Sequence, residues 1–244
     1  MNIIQCNDSK EVALLSYRIF KEQLIKKPNS TLGLATGSTP ILLYNELIKG
    51  SQLNEISFKK VNIFNLDEYV GLNSEHKNSY AFFMKEYLLN FIEIEDNHFH
   101  IPNGTACDLI EECHRYNNLL SSTKIDLQLL GLGENGHIGF NEPNTSFEST
   151  THLVELTENT RKNNSIYFKS INDIPTHAIT MGISNIINAT KILLLAIGEN
   201  KAEAVYNLIN GPIDVKFPGS ILRNHPDVTI ILDKEAATLI NKVK

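Results

Sequence analysis

The chain has 244 residues, 42% hydrophobic and 20% charged, with a net charge of −6 at pH 7. That length buries a real core in one α/β domain without disulfides, and 22 basic against 28 acidic residues exclude a basic face for nucleic acid. No apolar run approaches the ~20 residues a membrane helix needs, and the opening MNIIQCNDSKEVALL has no basic leader region. Three cysteines, Cys6, Cys107 and Cys113, form neither an even disulfide set nor a metal-type pair, and read as packing residues in a reducing compartment. The expectation is a cytoplasmic protein that acts on a small molecule, with no nucleic-acid or membrane partner and self-association left open.

Strand-like and helix-like segments alternate along the chain. TLGLATG (31–37) predicts a strand, and PILLYNELIKG (40–50) a helix with proline in its first turn and glycine as its stop. VNIFNL (61–66) predicts a strand and SYAFFMKEYLLNFI (79–92) a helix. HFHIP, DLIEECHRYNNLLSS and IDLQLLGLG continue as strand, helix, strand. THLVELTENTRKNNSIYF (151–168) gives no clear period. HAITMG, ISNIINA, KILLLAIG (191–198) and ENKAEAVYNLING (199–211) resume the alternation, and VTIILD (228–233) with KEAATLINKVK closes it. Fully apolar runs such as KILLLAIG and VTIILD suit strands covered on both faces. The expected fold is α/β: an open, mostly parallel, doubly wound, Rossmann-like sheet with helices on both faces, over residues 1–244 as a single domain.

In such folds ligands sit beyond the carboxyl ends of the strands. ATGSTP (35–40) joins a strand to a helix N-terminus, where backbone N–H groups and the hydroxyls of Thr36, Ser38 and Thr39 around Gly37 suit a phosphate. A water-filled helix cap is the alternative this stretch leaves open, and GxxxxGK[ST] is absent. In FNLDEYVGL, Asp67 and Glu68 follow a strand. Spacing favours a carboxylate that caps the next turn, while location allows a rigidly held general base.

LLGLGENGHIGFNEP (129–143) contains a literal GxGxxG at Gly131, Gly133 and Gly136. The segment after it runs into proline rather than a helix, so a dinucleotide site is rejected. His137 with Asn135 and Glu142 reads instead as an acid/base cluster, the imidazole being suited to proton transfer near neutrality. Further ligands at zinc spacing are lacking, so no metal is expected. Lys201, opening a helix after a strand, is placed to reach a phosphate as a point charge.

LATGSTP, NLDEYVGL, GLGENGHIGFNEP, HAITMGISNI, LLLAIGENKAEAV and PGSILRNHPDV together resemble the glucosamine-6-phosphate deaminases of the glucosamine/galactosamine-6-phosphate isomerase family, over essentially the whole chain. The related sugar-phosphate lactonases continue toward SLFP where this chain reads FNEP. The resemblance implies a cofactor-free, hydrolase/isomerase-type enzyme of amino-sugar metabolism, with an amino-sugar phosphate as its small-molecule partner. It would turn glucosamine 6-phosphate into fructose 6-phosphate and ammonia. His137 would open the sugar ring, Glu142 and Asn135 would orient or tune it, and Asp67 would take the C2 proton and return it at C1.

Two positions depart from the family pattern. Asn135 stands where many members have aspartate; an amide still accepts from imidazole N–H but carries no charge. Ile166 stands where many have a phosphate-binding arginine. Arg161 is near it in sequence, and Arg223, in ILRNHP, is the expected replacement. Galactosamine-6-phosphate enzymes, which can lack that arginine, remain the alternative within the family, and a non-catalytic sugar-phosphate sensor the alternative outside it. The short C-terminal region implies simple, unregulated kinetics.

Overall fold

The computed structural model describes residues 1–164, 168, 170 and 173–240. Its main sheet has seven parallel strands, in spatial order β1 (Asn2–Cys6), β10 (Val228–Asp233), β9 (Ile192–Ala196), β6 (Leu127–Gly131), β2 (Thr31–Leu34), β3 (Asn62–Asn65) and β5 (Phe99–His100). Every pairing in it is parallel, so the expected open parallel sheet is borne out. β2 leads outward through β3 to β5, whereas β6 leads the opposite way through β9 and β10. The winding therefore switches between β2 and β6, which opens a crevice beyond their carboxyl ends.

Burial explains why the apolar runs were readable. All residues of β2 and β9 are buried, as strands covered on both faces must be. The helices are α1 (Ser9–Lys26), α2 (Ile41–Gln52), α3 (Tyr80–Tyr87), α4 (Leu109–Ser122), α5 (Glu158–Asn164), α6 (Ile183–Ile187) and α7 (Ala202–Asn210). Among them α1 packs on α2 and β10, and α4 on α6. β1 was not singled out by the apolar pattern: as an edge strand it leaves most of its residues exposed or half-buried. The Asp8 side chain starts α1 by accepting from the N–H groups of Lys10 and Glu11, both at 2.9 Å.

Three expectations are corrected. HAITMG does not join the main alternation. Its strand β8 (His177–Thr180) pairs antiparallel with β4 (Asp67–Tyr69) and with β7 (His152–Glu155) in a separate three-stranded sheet. Gly50 does not stop α2, which runs on to Gln52. Gly50 lies where α2 meets α1, and a Cβ there would fall 2.2 Å from the Tyr17 hydroxyl. Of the cysteines, Cys6 and Cys113 are buried as expected, but Cys107, in the loop before α4, is exposed.

Candidate active site

The crevice between β2 and β6 holds two adjoining cavities, of about 210 and 420 Å³, that share Thr36, Gly37, Thr39, Gly131, Glu134 and Lys201 as walls. Two fully buried tyrosines pin the strand ends beside it. Tyr44 of α2 donates its hydroxyl to the Ala35 carbonyl at 2.5 Å, and Tyr116 of α4 donates to the Asn65 carbonyl at 2.6 Å.

The loop after β2 forms one wall. Gly37 has φ +96° and open space where a Cβ would project, so backbone conformation rather than crowding requires glycine there. Ser38 and Thr39 follow at the α2 N-terminus, and both line the larger cavity. Among the described residues, no acceptor takes the N–H groups of Gly37, Ser38 or Thr39, an arrangement of donors at a helix terminus that suits an anion. Lys201, also in both walls, is the only lysine or arginine there among the described residues. Burial lowers its pKa, against the raising influence of Glu134. Asn200 donates to Glu134 at 2.8 Å, tying the loop after β9 to the loop after β6.

Asp67 and Glu68 divide their roles because successive strand side chains point to opposite faces. Glu68 turns away and caps α3, accepting from the N–H groups of Tyr69 (2.8 Å), Tyr80 (2.9 Å) and Ala81 (2.8 Å). Asp67 lines the smaller cavity while only 5% exposed. Burial, and secondarily the neighbouring Glu68 charge, push its pKa from 3.8 up to about 8. Burial likewise raises Glu68 to about 7, against the three N–H groups that favour its ionised form.

His137 lines the same cavity. Its Nδ1 lies 2.6 Å from Asn135 Oδ1, and Asn135 Nδ2 donates to Glu142 Oε2 at 2.8 Å. A carboxylate only accepts, so the Asn135 amide must turn its NH₂ to Glu142 and its oxygen to the ring. Nδ1 is then the protonated nitrogen and Nε2 keeps its lone pair. Glu142 does not bond the ring directly: its Oε2 is 3.8 Å from Nδ1. Burial lowers the His137 pKa, while Glu142 raises it and Lys201 lowers it, so the ring is neutral at pH 7. The imidazole lies against Gly133, where a Cβ would fall 2.3 Å from Nδ1. This glycine of the GxGxxG look-alike makes room for the histidine rather than for a nucleotide.

The structure thus brings Thr36, Gly37, Ser38, Thr39, Asp67, His137 and Lys201 to one crevice, with Asn135 and Glu142 directly behind His137. It does not bring Arg223 there. That residue sits in the 3₁₀ turn Pro218–Asn224 and donates to the Ile209 carbonyl near the end of α7 at 3.3 Å, a position that suits a cation at a helix C-terminus. Arg161 donates to the Ile174 carbonyl at 3.3 Å and lines neither cavity. Ile166 lies outside the described residues.

Sequence reasoning missed Tyr80, Thr157 and Thr160. Tyr80 lines the cavity, stacks on Phe140 with ring centroids 5.9 Å apart, and places its hydroxyl 3.3 Å from that of Tyr69. Glu142 Oε1 accepts from the hydroxyls of Thr160 and, at 3.3 Å, Thr157. Both stretches carry an N-cap signal: Ser79 accepts from Phe82 N–H at 3.1 Å and Thr157 from Thr160 N–H at 3.2 Å.

The family model for "Glucosamine-6-phosphate isomerases/6-phosphogluconolactonase" matches residues 9–231. A curated glucosamine-6-phosphate deaminase of Clostridium novyi is 50% identical over 98% of this chain and 99% of its own. One from Mycoplasma mycoides is 51% identical over 100% of this chain and 99% of its own. A solved structure described as a monomeric glucosamine-6-phosphate deaminase superposes with a TM-score of 0.96 at 47% identity, covering 98% of this chain and 100% of the other. A Trypanosoma brucei 6-phosphogluconolactonase shares the fold at 20% identity, with a TM-score of 0.79 and 98% of each chain covered. These names support the deaminase and isomerase parts of the expected label and not its hydrolase part. With the match running through both the anion loop and the histidine turn, the chain belongs to the glucosamine-6-phosphate isomerase/6-phosphogluconolactonase family.

Proposed function

We propose that this chain converts glucosamine 6-phosphate and water into fructose 6-phosphate and ammonia. The observation that carries the reading is one cavity lined by two separate proton-transfer groups, the Asp67 carboxyl and the His137 imidazole, beside an anion loop and Lys201. The reaction needs both groups, because the C2–H becomes usefully acidic only once the ring has opened to an aldehyde. His137 Nε2 takes the proton of the C1 hydroxyl and delivers it to the ring oxygen as the C1–O5 bond breaks. Asp67 then removes the C2 proton while an ammonium proton passes to O1, giving the enolamine, and returns its proton at C1. The resulting C2 iminium adds water and expels ammonia. Each positioned acid or base contributes about 10²–10⁴-fold.

The phosphate rests on the Gly37–Thr39 N–H groups and Lys201, with the Thr36, Ser38 and Thr39 hydroxyls as further donors. With a pKa of about 8, Asp67 is largely protonated in the free protein at pH 7. A cation within ~4–6 Å favours the charged form, so the substrate's own C2 ammonium makes Asp67 a base. A neutral sugar phosphate leaves it protonated, which selects for the amino sugar. The chemistry needs no cofactor and suits a cytoplasmic enzyme of amino-sugar catabolism.

The test incubates purified protein, with and without EDTA, separately with glucosamine 6-phosphate and galactosamine 6-phosphate, and measures ammonia and ketose phosphate. Ammonia from the glucosamine substrate, unaffected by EDTA, is expected. Release from the galactosamine substrate alone would overturn the assigned specificity, and release from neither would leave a sensing module.

A further inference from the structure

The hydrogen bonds behind His137 run in one direction from beginning to end. Thr160 N–H donates to Thr157 Oγ1 at 3.2 Å, so the Thr157 hydroxyl proton is left to donate onward, with Thr160 Oγ1 at 3.0 Å and Glu142 Oε1 at 3.3 Å. The Thr160 hydroxyl donates to Glu142 Oε1. Glu142 Oε2 accepts from Asn135 Nδ2 at 2.8 Å, and Asn135 Oδ1 accepts from the ring at 2.6 Å and from His137 N–H at 3.3 Å. Thr160 and Glu142 are buried. Nothing in the chain beyond Glu142 can be reversed while that carboxylate accepts on both oxygens. An uncharged amide, unlike a carboxylate at position 135, can be turned over, so the direction has to be imposed from outside it.

We propose that Thr160, supported by Thr157, is a positioning residue that sets the tautomer of His137 through Glu142 and Asn135. The Thr160 hydroxyl, bonded to Oε1, orients the Glu142 carboxylate so that Oε2 faces Asn135 Nδ2. Glu142 fixes the Asn135 amide, and the amide oxygen keeps the proton on Nδ1 and the lone pair on Nε2. Without that hydroxyl the Glu142 carboxylate loses a donor that fixes its orientation and can swing Oε2 away from Asn135 Nδ2; the released amide can then turn its NH₂ to the ring, which moves the proton to Nε2 and removes the base from the cavity. The effect on catalysis rests on the ring-opening role given to His137 above, but the tautomer itself does not.

The test is ¹⁵N NMR of the His137 ring, with a pH titration of its resonances and the pH profile of kcat/KM, in Thr160→Val, Thr160→Ala and Thr160→Ser. Glu142, Glu134 and Lys201 are the charged groups acting on the ring, and all three stay in place. In the unsubstituted protein Nε2 carries the unprotonated signature at neutral pH. Valine and alanine should move it to a mixed or Nε2-protonated one and lower kcat/KM about tenfold, as for a hydrogen bond to a charged group. Serine, which keeps the donor, should restore both. An unchanged ring signature in both Thr160→Val and Thr160→Ala, each shown folded by its melting curve, would overturn the proposal whatever the rates. A changed signature with unchanged kcat/KM would uphold the positioning role and overturn instead the part given to His137 in ring opening.

Discussion

Asp67→Asn should make the protein nearly inactive and, at high pH, more stable. Asp67 is raised from 3.8 to about 8 by burial, with Glu68 adding to it. A folded-state pKa raised above its unfolded value means that the contribution of Asp67 to stability is fully present below pH ~4 and is lost as pH rises through about 8. At 1.36 kcal/mol per pH unit, that displacement amounts to about 6 kcal/mol above pH 8. Asparagine has the same shape and no charge, but its buried NH₂ needs acceptors, and leaving them unmade costs about 1–3 kcal/mol. The net gain is about 3–5 kcal/mol, which raises Tm by roughly 6–20 °C for a chain of this size. The assay is a set of thermal melts from pH 4 to pH 9 beside the deaminase rate, which should fall about 10²–10⁴-fold. At pH 4 the stability gain should vanish or reverse. A Tm difference that is flat across this range would refute the reasoning, because desolvation of the carboxylate predicts growth with pH.

Four further outcomes follow. The acid limb of kcat/KM should reflect Asp67 at about 8, and Glu68→Gln, which removes the neighbouring charge, should move that limb to lower pH while weakening the α3 cap by about 1 kcal/mol; pH profiles and melts read the two effects separately. Lys201→Met should raise KM for the phosphorylated sugar at least tenfold with a smaller change in kcat, since its charge faces the anion loop in the ground state as well. Asn135→Leu leaves His137 Nδ1 and Glu142 Oε2 without their shared partner and should lower kcat about tenfold to a hundredfold at little-changed KM. Arg223→Gln should leave KM unaltered, because its guanidinium bonds the Ile209 carbonyl at 3.3 Å and not the cavity; a clear rise would return Arg223 to the phosphate.

What could be read from the sequence was what local physics decides. β2, β6 and β9 are buried on both faces, and their apolar runs announce it. The loops that follow β2 and β6 carry their chemistry in short contiguous stretches, so Thr36 to Thr39 and Asn135 to Glu142 were found as motifs. Asp67 was found, but its division of labour with Glu68 was not. Adjacent carboxylates look alike in a string, and only β4 sends one to the cavity and the other to α3. The second sheet was illegible for a similar reason. Its strands have three or four residues each, too few for a period, and their pairing joins segments far apart in the chain. Arg223 shows the reverse error: its distance from the cavity is a property of the 3₁₀ turn after α7, which no spacing in ILRNHP reveals.

The second sheet is what joins Asp67 and His137 into one site. Asp67 belongs to the chain leaving β3, and His137 to the chain leaving β6, so each would otherwise be held only by its own loop. β4 pairs Asp67 with Thr180 of β8, and the Thr180 hydroxyl accepts from Phe140 N–H at 3.1 Å, inside the histidine turn. The next residue repeats the connection: Met181 N–H donates to the Leu66 carbonyl at 2.7 Å, and its own carbonyl accepts from Asn141 Nδ2 at 2.8 Å. Two consecutive residues of β8 and its exit thus hold both loops by backbone and buried side-chain bonds. Gly139 completes the join, since a Cβ there would fall 3.0 Å from the Thr180 hydroxyl oxygen and 3.5 Å from Asp67 Oδ2. In the proposed mechanism, proton transfer at C2 and C1 tolerates little error in the position of the base relative to the group that opens the ring. The short antiparallel sheet supplies that rigidity where the parallel sheet, which ends below the crevice, cannot.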